Sequence, residues 1–189
     1  MKVNGKKYTS IWVEEGNRVF IIDQRWLPHQ FKLIELITLN DFLVSIRDMW
    51  VRGAPLIGVT AAFGFAKSMQ YDNSDKSLHE TKSLLLSTRP TAVNLHWAVK
   101  IMFDLLINVD RDSRQDIALI KAKEILTRDI LSNKEIGKNG YEIIKNIIDK
   151  KNTDKINILT HCNAGWLATV DWGTATSPIY YSKEKGVNI

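Results

Sequence analysis

The sequence predicts an α/β chain in two unequal parts: a small amino-terminal β-meander with a helical bundle over residues 1–150, then the start of a parallel-sheet domain over residues 151–189. Three observations carry this reading. The first 37 residues are punctuated like short strands, and from Thr38 the apolar period turns helical. A charged stretch, Lys150-Lys151-Asn152-Thr153-Asp154-Lys155, then separates the helical tract from an apolar run, a turn and a further helix-like segment.

Residues 2–8 read as a strand and turn, residues 18–23 as a second strand behind the Glu15-Gly16-Asn17 turn, and residues 33–38 as a third. Leu39, Phe42, Leu43, Ile46, Met49 and Trp50 then share one helical stripe that ends at Arg52-Gly53, with Thr38 and Asp41 as a variant capping box. Pro55 opens residues 56–69, apolar nearly all round and rich in Gly and Ala, as expected of a central helix with close approaches at Gly58 and Gly64. Another helix runs to about Ser87. A further one is expected to start at Arg89-Pro90-Thr91, because Leu95, Val99, Met102, Phe103 and Leu106 recur at helical spacing. Two amphipathic helices follow, residues 111–131 and, with Ser132 and Glu135 as a capping box, residues 133–149. Past the charged linker, residues 156–160 form an expected strand, 164–185 a mainly helical segment restarted at Pro178, and 186–189 the beginning of a second strand. That is one β-α-β unit of a Rossmann-like sheet.

Composition excludes several classes of function. With 189 residues, 44% hydrophobic and 25% charged, the chain has the make-up of a soluble globular protein. Residues 54–66 are too few to span a bilayer and the amino terminus has no apolar leader, so a cytoplasmic protein is expected, with no membrane partner. One cysteine makes neither an internal disulfide nor a thiolate zinc site, and His29, His79, His96 and His161 lack ligand spacing; no metal is expected. The net charge of +5 is spread over helix faces, which argues against a nucleic-acid partner.

Four segments could carry chemistry. Arg52-Gly53-Ala54-Pro55 joins a guanidinium to a glycine turn and a helix start, where free N–H groups and the helix dipole favour a phosphate; the same residues also fit a plain corner with an exposed arginine. Arg89-Pro90-Thr91 repeats the pattern, so the two corners either converge on one anion or are unrelated. Asn94 and His96 read as packing or hydrogen-bonding residues. Cys162 follows a strand-like run, lies between His161 and Asn163, and precedes Ala164-Gly165, a setting that suits a thiolate; a buried free cysteine is the competing reading. Gly173-Thr174-Ala175 offers a small-residue surface beside it, whereas Asp171 reads as a packing or surface residue within a helix.

Taken together, Ile22-Asp23-Gln24, Leu27-Pro28-His29, Val51 through Gly58, Arg89 through Ala98, Leu159 through Gly165 and Trp172 through Ala175 resemble the methylthioribose-1-phosphate isomerases of methionine salvage. These belong to a wider family that includes ribose-1,5-bisphosphate isomerases and the regulatory subunits of the translation-initiation exchange factor eIF2B. The resemblance implies an aldose–ketose isomerisation of 5-methylthioribose 1-phosphate without cofactor. Arg52, Gly53, Ala54 and Arg89 would bind the phosphate, Cys162 would stand at the reaction centre, and the protein would be a homodimer. It also implies that the carboxylate acid lies in a region following Ile189, so this chain alone is expected to lack turnover. Trp166 after Gly165, and the Asp171-Trp172 pair, depart from many members and point to 5-deoxyribose 1-phosphate as an alternative substrate. The same resemblance is compatible with ribose 1,5-bisphosphate as the substrate, or with a non-catalytic regulatory role like that of the eIF2B subunits.

Overall fold

The structure, a computed structural model, describes residues 1–153 and 155–189; Asp154 of the expected linker lies outside the described residues. Most of the chain is helical, with two small antiparallel sheets. Lys2–Val3 (β1) and Lys6–Lys7 (β2) form a minimal hairpin. Ile11–Glu14 (β3), Arg18–Ile22 (β4) and Leu33–Leu36 (β5) form a three-stranded meander, in which Ile11 pairs with Ile21 and Val19 with Leu36. The period of two places Ile11, Val19, Ile21 and Leu36 in the core. β3 is a strand that sequence reasoning missed, because Ile11-Trp12-Val13 is a run of only three apolar residues with no alternation.

Leu39–Arg47 (α1) starts on the expected capping box. Asp41 N–H donates to Thr38 Oγ1 at 3.3 Å, and Thr38 N–H returns a bond to Asp41 Oδ2 at 2.7 Å. The helix ends five residues earlier than the apolar stripe suggested: Met49 takes a left-handed φ of 56°, and the N–H groups of Trp50 and Val51 fold back to the Ser45 carbonyl. Ala54–Tyr71 (α2) is the central helix, packed by α1 and by Asp75–Thr88 (α3), Val93–Leu106 (α4) and Arg114–Lys151 (α5). It is buried on every side because Leu56, Phe63, Phe65 and their small neighbours leave no polar face. Each such large side chain contributes about 1.5–3 kcal/mol on burial. A Cβ on Gly58 would stand 2.9 Å from the Asn94 carbonyl oxygen, and one on Gly64 2.9 Å from Phe42 Cβ, so both glycines mark helix contacts as expected.

Several expectations are corrected. The break at Ser132 does not exist: α5 runs unbroken over 38 residues, with Asn133 buried and its amide donating to the Asp129 carbonyl. Packing along the whole helix overrides a local capping signal that would matter only at a free end. α4 begins at Val93 rather than at Pro90, since residues 89–92 form a turn closed by Ala92 N–H on the Arg89 carbonyl. Residues 164–176 are not helical. They hold a 3-10 turn, Trp166–Ala168, and bends, and only Ser177–Glu184 (α6) is a helix, with Pro178 at its start. Residues 156–160 join no ladder; one parallel bridge, Lys155 to Asn188, is formed across α6.

α6 lies along α5 through two glycines. A Cβ on Gly137 would meet Ser177 Oγ at 2.6 Å, and one on Gly140 would meet Pro178 Cβ at 2.6 Å. Gly140→Ala is therefore expected to destabilise the chain despite alanine's better helix propensity. Overpacking costs about 1–3 kcal/mol against a propensity gain of about 1 kcal/mol. A lowered urea midpoint checks this; an unchanged or raised one would show that α6 shifts freely.

Candidate functional site

The Arg52–Pro55 turn is built by the reversal after α1 and by the start of α2. Gly53 has φ 93° and ψ 137°, and its carbonyl accepts the first helical bond, from Ile57 N–H at 3.0 Å. Among the described residues the N–H groups of Gly53 and Ala54 donate to nothing, and they stand at the positive end of a buried 18-residue helix. Arg52 is exposed, and its only hydrogen bond among the described residues is a long one from Nε to the Met49 carbonyl at 3.4 Å. Arg89, half-buried at the end of α3, makes no side-chain bond among the described residues. Five other arginines are paired with carboxylates, which leaves Arg52, Arg89 and Arg128 as the described guanidinium groups without one.

Of these three, Arg128 lines a cleft of about 350 Å³ between the starts of α2 and α4 and the middle of α5, whereas Arg52 and Arg89 are not among its lining residues. Pro55, Val59, Val93, Trp97 and Ile125 make its apolar wall, and Asn94, Arg128, Asp129 and Ser132 its polar one. Arg52 and Arg89 precede in sequence the starts of α2 and α4, whose residues Pro55, Val93 and Asn94 line the cleft. Asn94, read as a packing residue, supports Gly58 and also faces the cleft. His96 instead donates from Nε2 to the Pro90 carbonyl at 2.8 Å, which steadies the Arg89 turn.

Gly53 also meets the second segment of interest. A Cβ there would lie 2.5 Å from Ala168 O and from Ala168 Cβ, so the glycine turn sits directly on the 3-10 turn Trp166–Ala168. Upstream in that segment Cys162 is exposed, with a left-handed φ of 71° and its carbonyl accepting from Ala164 N–H at 3.0 Å. The expected small-residue surface forms: Thr174 N–H donates to the Ala164 carbonyl at 3.0 Å, and Gly173 packs on Gly165 where a Cβ would stand 2.5 Å from Gly165 C. Among the described residues no hydrogen bond joins the Cys162 side chain to Arg52 or Arg89. The thiol is thus solvent-facing rather than the small core hydrophobe of the competing reading.

Residues that sequence reasoning missed hold this segment. Gln24 Nε2 donates to the Leu167 carbonyl at 2.7 Å, Ser10 N–H to the Val170 carbonyl at 2.8 Å, and Val170 N–H to Asp129 Oδ2 at 2.7 Å. Asp171, expected inside a helix, lies in a bend with its side chain 6% exposed and accepts from the Met1 ammonium at 2.8 Å. Asp23 and Arg25 brace the same corner: Arg25 forks onto the fully buried Asp23 carboxylate and lies 4.1 Å over the Trp50 ring. The Asp23-Gln24-Arg25 run between Ile22 and Trp26 gives no periodic signal of these roles, and Asp23 and Gln24 enter the sequence reading only through the family resemblance.

Two carboxyls are shifted in opposite directions. Burial pushes Asp23 up, but the Arg25 bonds and charge more than reverse it, leaving it below the ordinary aspartate value. Burial dominates at Asp129 and holds it above that value, against the opposing Val170 and Asn133 bonds. A lowered folded value stabilises above the unfolded value, about 3.9, and that stability is lost as pH falls through the folded one. Arg25→Met is accordingly expected to remove the part of acid destabilisation due to Asp23, seen as a smaller fall in urea midpoint between pH 6 and pH 3. An equal fall in both proteins would contradict the pairing.

Residues 50–188 match the family model described as the initiation factor 2 subunit family. The chain is 53% identical over 189 residues to a protein named methylthioribose-1-phosphate isomerase from Cereibacter sphaeroides, and 48% identical over 191 residues to one of that name from Escherichia coli, in both cases over 100% of its own length. It spans about half the length of these curated relatives, 51% and 52%. Among solved structures it is similar to 5-methylthioribose 1-phosphate isomerase from Pyrococcus horikoshii, with TM-score 0.84 and 31% identity, covering 97% of this chain and 51% of that one. It is also similar to the delta subunit of translation initiation factor eIF-2B from A. fulgidus, with TM-score 0.80 and 30% identity, covering 96% and 52%.

Proposed function

The chain belongs to the initiation factor 2 subunit family, and on that basis we propose that it is the phosphate-gripping half of an aldose–ketose isomerase acting on 5-methylthioribose 1-phosphate. The observation that carries this is the seating of Gly53 on Ala168, which joins the anion-favouring start of α2 to the segment bearing Cys162. Gly53 and Ala54 N–H groups receive phosphate oxygens, with Arg52 and Arg89 as charged donors. Cys162, on a short exposed turn, stands at the reacting sugar carbons.

With the anomeric oxygen esterified, the ring must open by protonation of its oxygen before a proton or hydride moves between C2 and C1, and such acid assistance contributes about 10²–10⁴-fold. The acid is assigned to the half of the relatives' length that this chain does not span. The apolar wall of Val59, Val93 and Trp97 supports a thioether or deoxy substituent at C5 over a second phosphate. We further assign residues 151–189 to a second domain, with the Lys155–Asn188 bridge as the seed of a Rossmann-like parallel sheet, and expect a cytoplasmic homodimer.

Calorimetric titration tests the reading. The 189-residue chain is expected to bind 5-methylthioribose 1-phosphate but not 5-methylthioribose, and Arg89→Ala to weaken binding at least tenfold, as loss of charge-assisted bonds of about 1.5–3 kcal/mol requires. Equal affinity for the two sugars would overturn it. Ketose formation by the chain alone at a full-length relative's rate would overturn the placement of the acid.

A further inference from the structure

We infer that Asp129 is a positioning residue that fixes the segment bearing Cys162 against the Arg52–Pro55 turn; the functional consequence rests on the proposed isomerase function. Nothing in the sequence pattern marked it, since it lies mid-helix in α5 among charged neighbours. In the fold it is the one carboxylate lining the cleft, and its Oδ2 accepts the Val170 N–H at 2.7 Å while Asn133 Nδ2 donates to Oδ1 at 3.2 Å.

Val170 is wholly buried, and its carbonyl is taken by Ser10 N–H at 2.8 Å, so the peptide is clamped from both sides. Ala168, two residues earlier, bears on Gly53; Thr169 Oγ1, between them, accepts Gly173 N–H at 3.0 Å. Moving Val170 therefore moves both the seat of the phosphate turn and the small-residue surface behind Cys162. The stripe continues along α5. The Asn133 carbonyl accepts Ser177 Oγ at 2.5 Å, and Gly137 and Gly140 admit Ser177 and Pro178, so Asp129 is the polar end of one docking face. Its neighbouring charges are Arg128 on α5 and the Asp171–Met1 pair just past Val170; the α2 and α4 residues of the cleft carry none. A carboxylate with one oxygen on a buried backbone N–H and a raised affinity for its proton is held there against its solvation preference, as a residue kept for geometry is.

Amide hydrogen exchange on isotopically labelled chain tests the clamp. Asp129→Ala is expected to speed exchange at Val170 and Gly173 at least tenfold while Phe63 and Phe65 in α2 keep their protection, and to weaken 5-methylthioribose 1-phosphate binding about tenfold. Asp129→Asn, which keeps a carbonyl acceptor, is expected to restore both. In the parent protein the Val170 amide proton shift should titrate with the Asp129 carboxyl, and in Asp129→Asn it should not. Unchanged Val170 exchange in Asp129→Ala, or equal acceleration in α2, would overturn the inference. If the sugar phosphate fails to bind the parent while Val170 responds as stated, the clamp stands and the functional reading falls.

Discussion

Gly53→Ala is expected to cost about 3 kcal/mol of stability and to abolish measurable sugar-phosphate binding. The glycine sits at φ 93° and ψ 137°, which side chains rarely adopt, and holding alanine there costs about 1–3 kcal/mol. The new Cβ would also stand 2.5 Å from the Ala168 carbonyl oxygen, a backbone atom that cannot rotate aside. Relief requires the 3-10 turn Trp166–Ala168 to retreat by an ångström or more, at an overpacking cost of about 1–3 kcal/mol. That retreat would separate the anion-favouring turn from the segment bearing Cys162. Ala168→Gly in the same chain removes one contact but neither the φ strain nor the clash with the carbonyl, so it should restore less than half of the loss. Urea titration and calorimetry read both effects, and a Gly53→Ala chain with parental midpoint and affinity would show that the two segments are not coupled.

Arg25→Ala is the second large effect, expected at about 3 kcal/mol, the lower end for breaking a buried ion pair because Arg25 is itself 38% exposed. The Asp23 carboxylate is fully buried and would keep the Arg25 backbone N–H at 3.1 Å and the Trp26 side chain as its remaining partners among the described residues. Trp50 would lose the guanidinium that lies over its ring, worth about 0.5–1 kcal/mol at a partly exposed site. Since Gln24 N–H bonds the Trp50 carbonyl and Gln24 Nε2 the Leu167 carbonyl, the loosening should spread to the Arg52 turn. Asp23→Asn with Arg25→Met removes both charges and should recover most of the loss. If the double variant is no more stable than Arg25→Ala, stranded charge is not the cause.

Legibility in the sequence followed the range of the interaction. The Thr38–Asp41 box, the all-apolar α2 and the stripe of α4 are set by neighbours within one helical turn, and each formed where its pattern lay. Ser132 and Glu135 offered an equally good local signal and formed no helix start, because the face of α5 that carries Asp129, Asn133, Gly137 and Gly140 is occupied by residues 170–181. Residues 164–176 looked helical by composition, yet Ser10 before β3, Gln24 after β4 and Asp129 in α5 capture their backbone groups. Asp171 lies in a bend rather than a helix for the same reason, while its packing role, against the Met1 ammonium, is the expected one.

Residue order alone sets the helical bundle, two of the three meander strands (β4 and β5) and the glycine–proline helix start at Gly53–Pro55. Each depends on short-range backbone preference or on apolar period. Tertiary packing was needed to bring the starts of α2 and α4 and the middle of α5 around one cleft, to seat Gly53 on Ala168, and to shift the buried Asp23 and the half-buried Asp129 in opposite senses. Those facts depend on which chain segments far apart in sequence exclude water from one another, and burial of that kind leaves no period in the residues that undergo it.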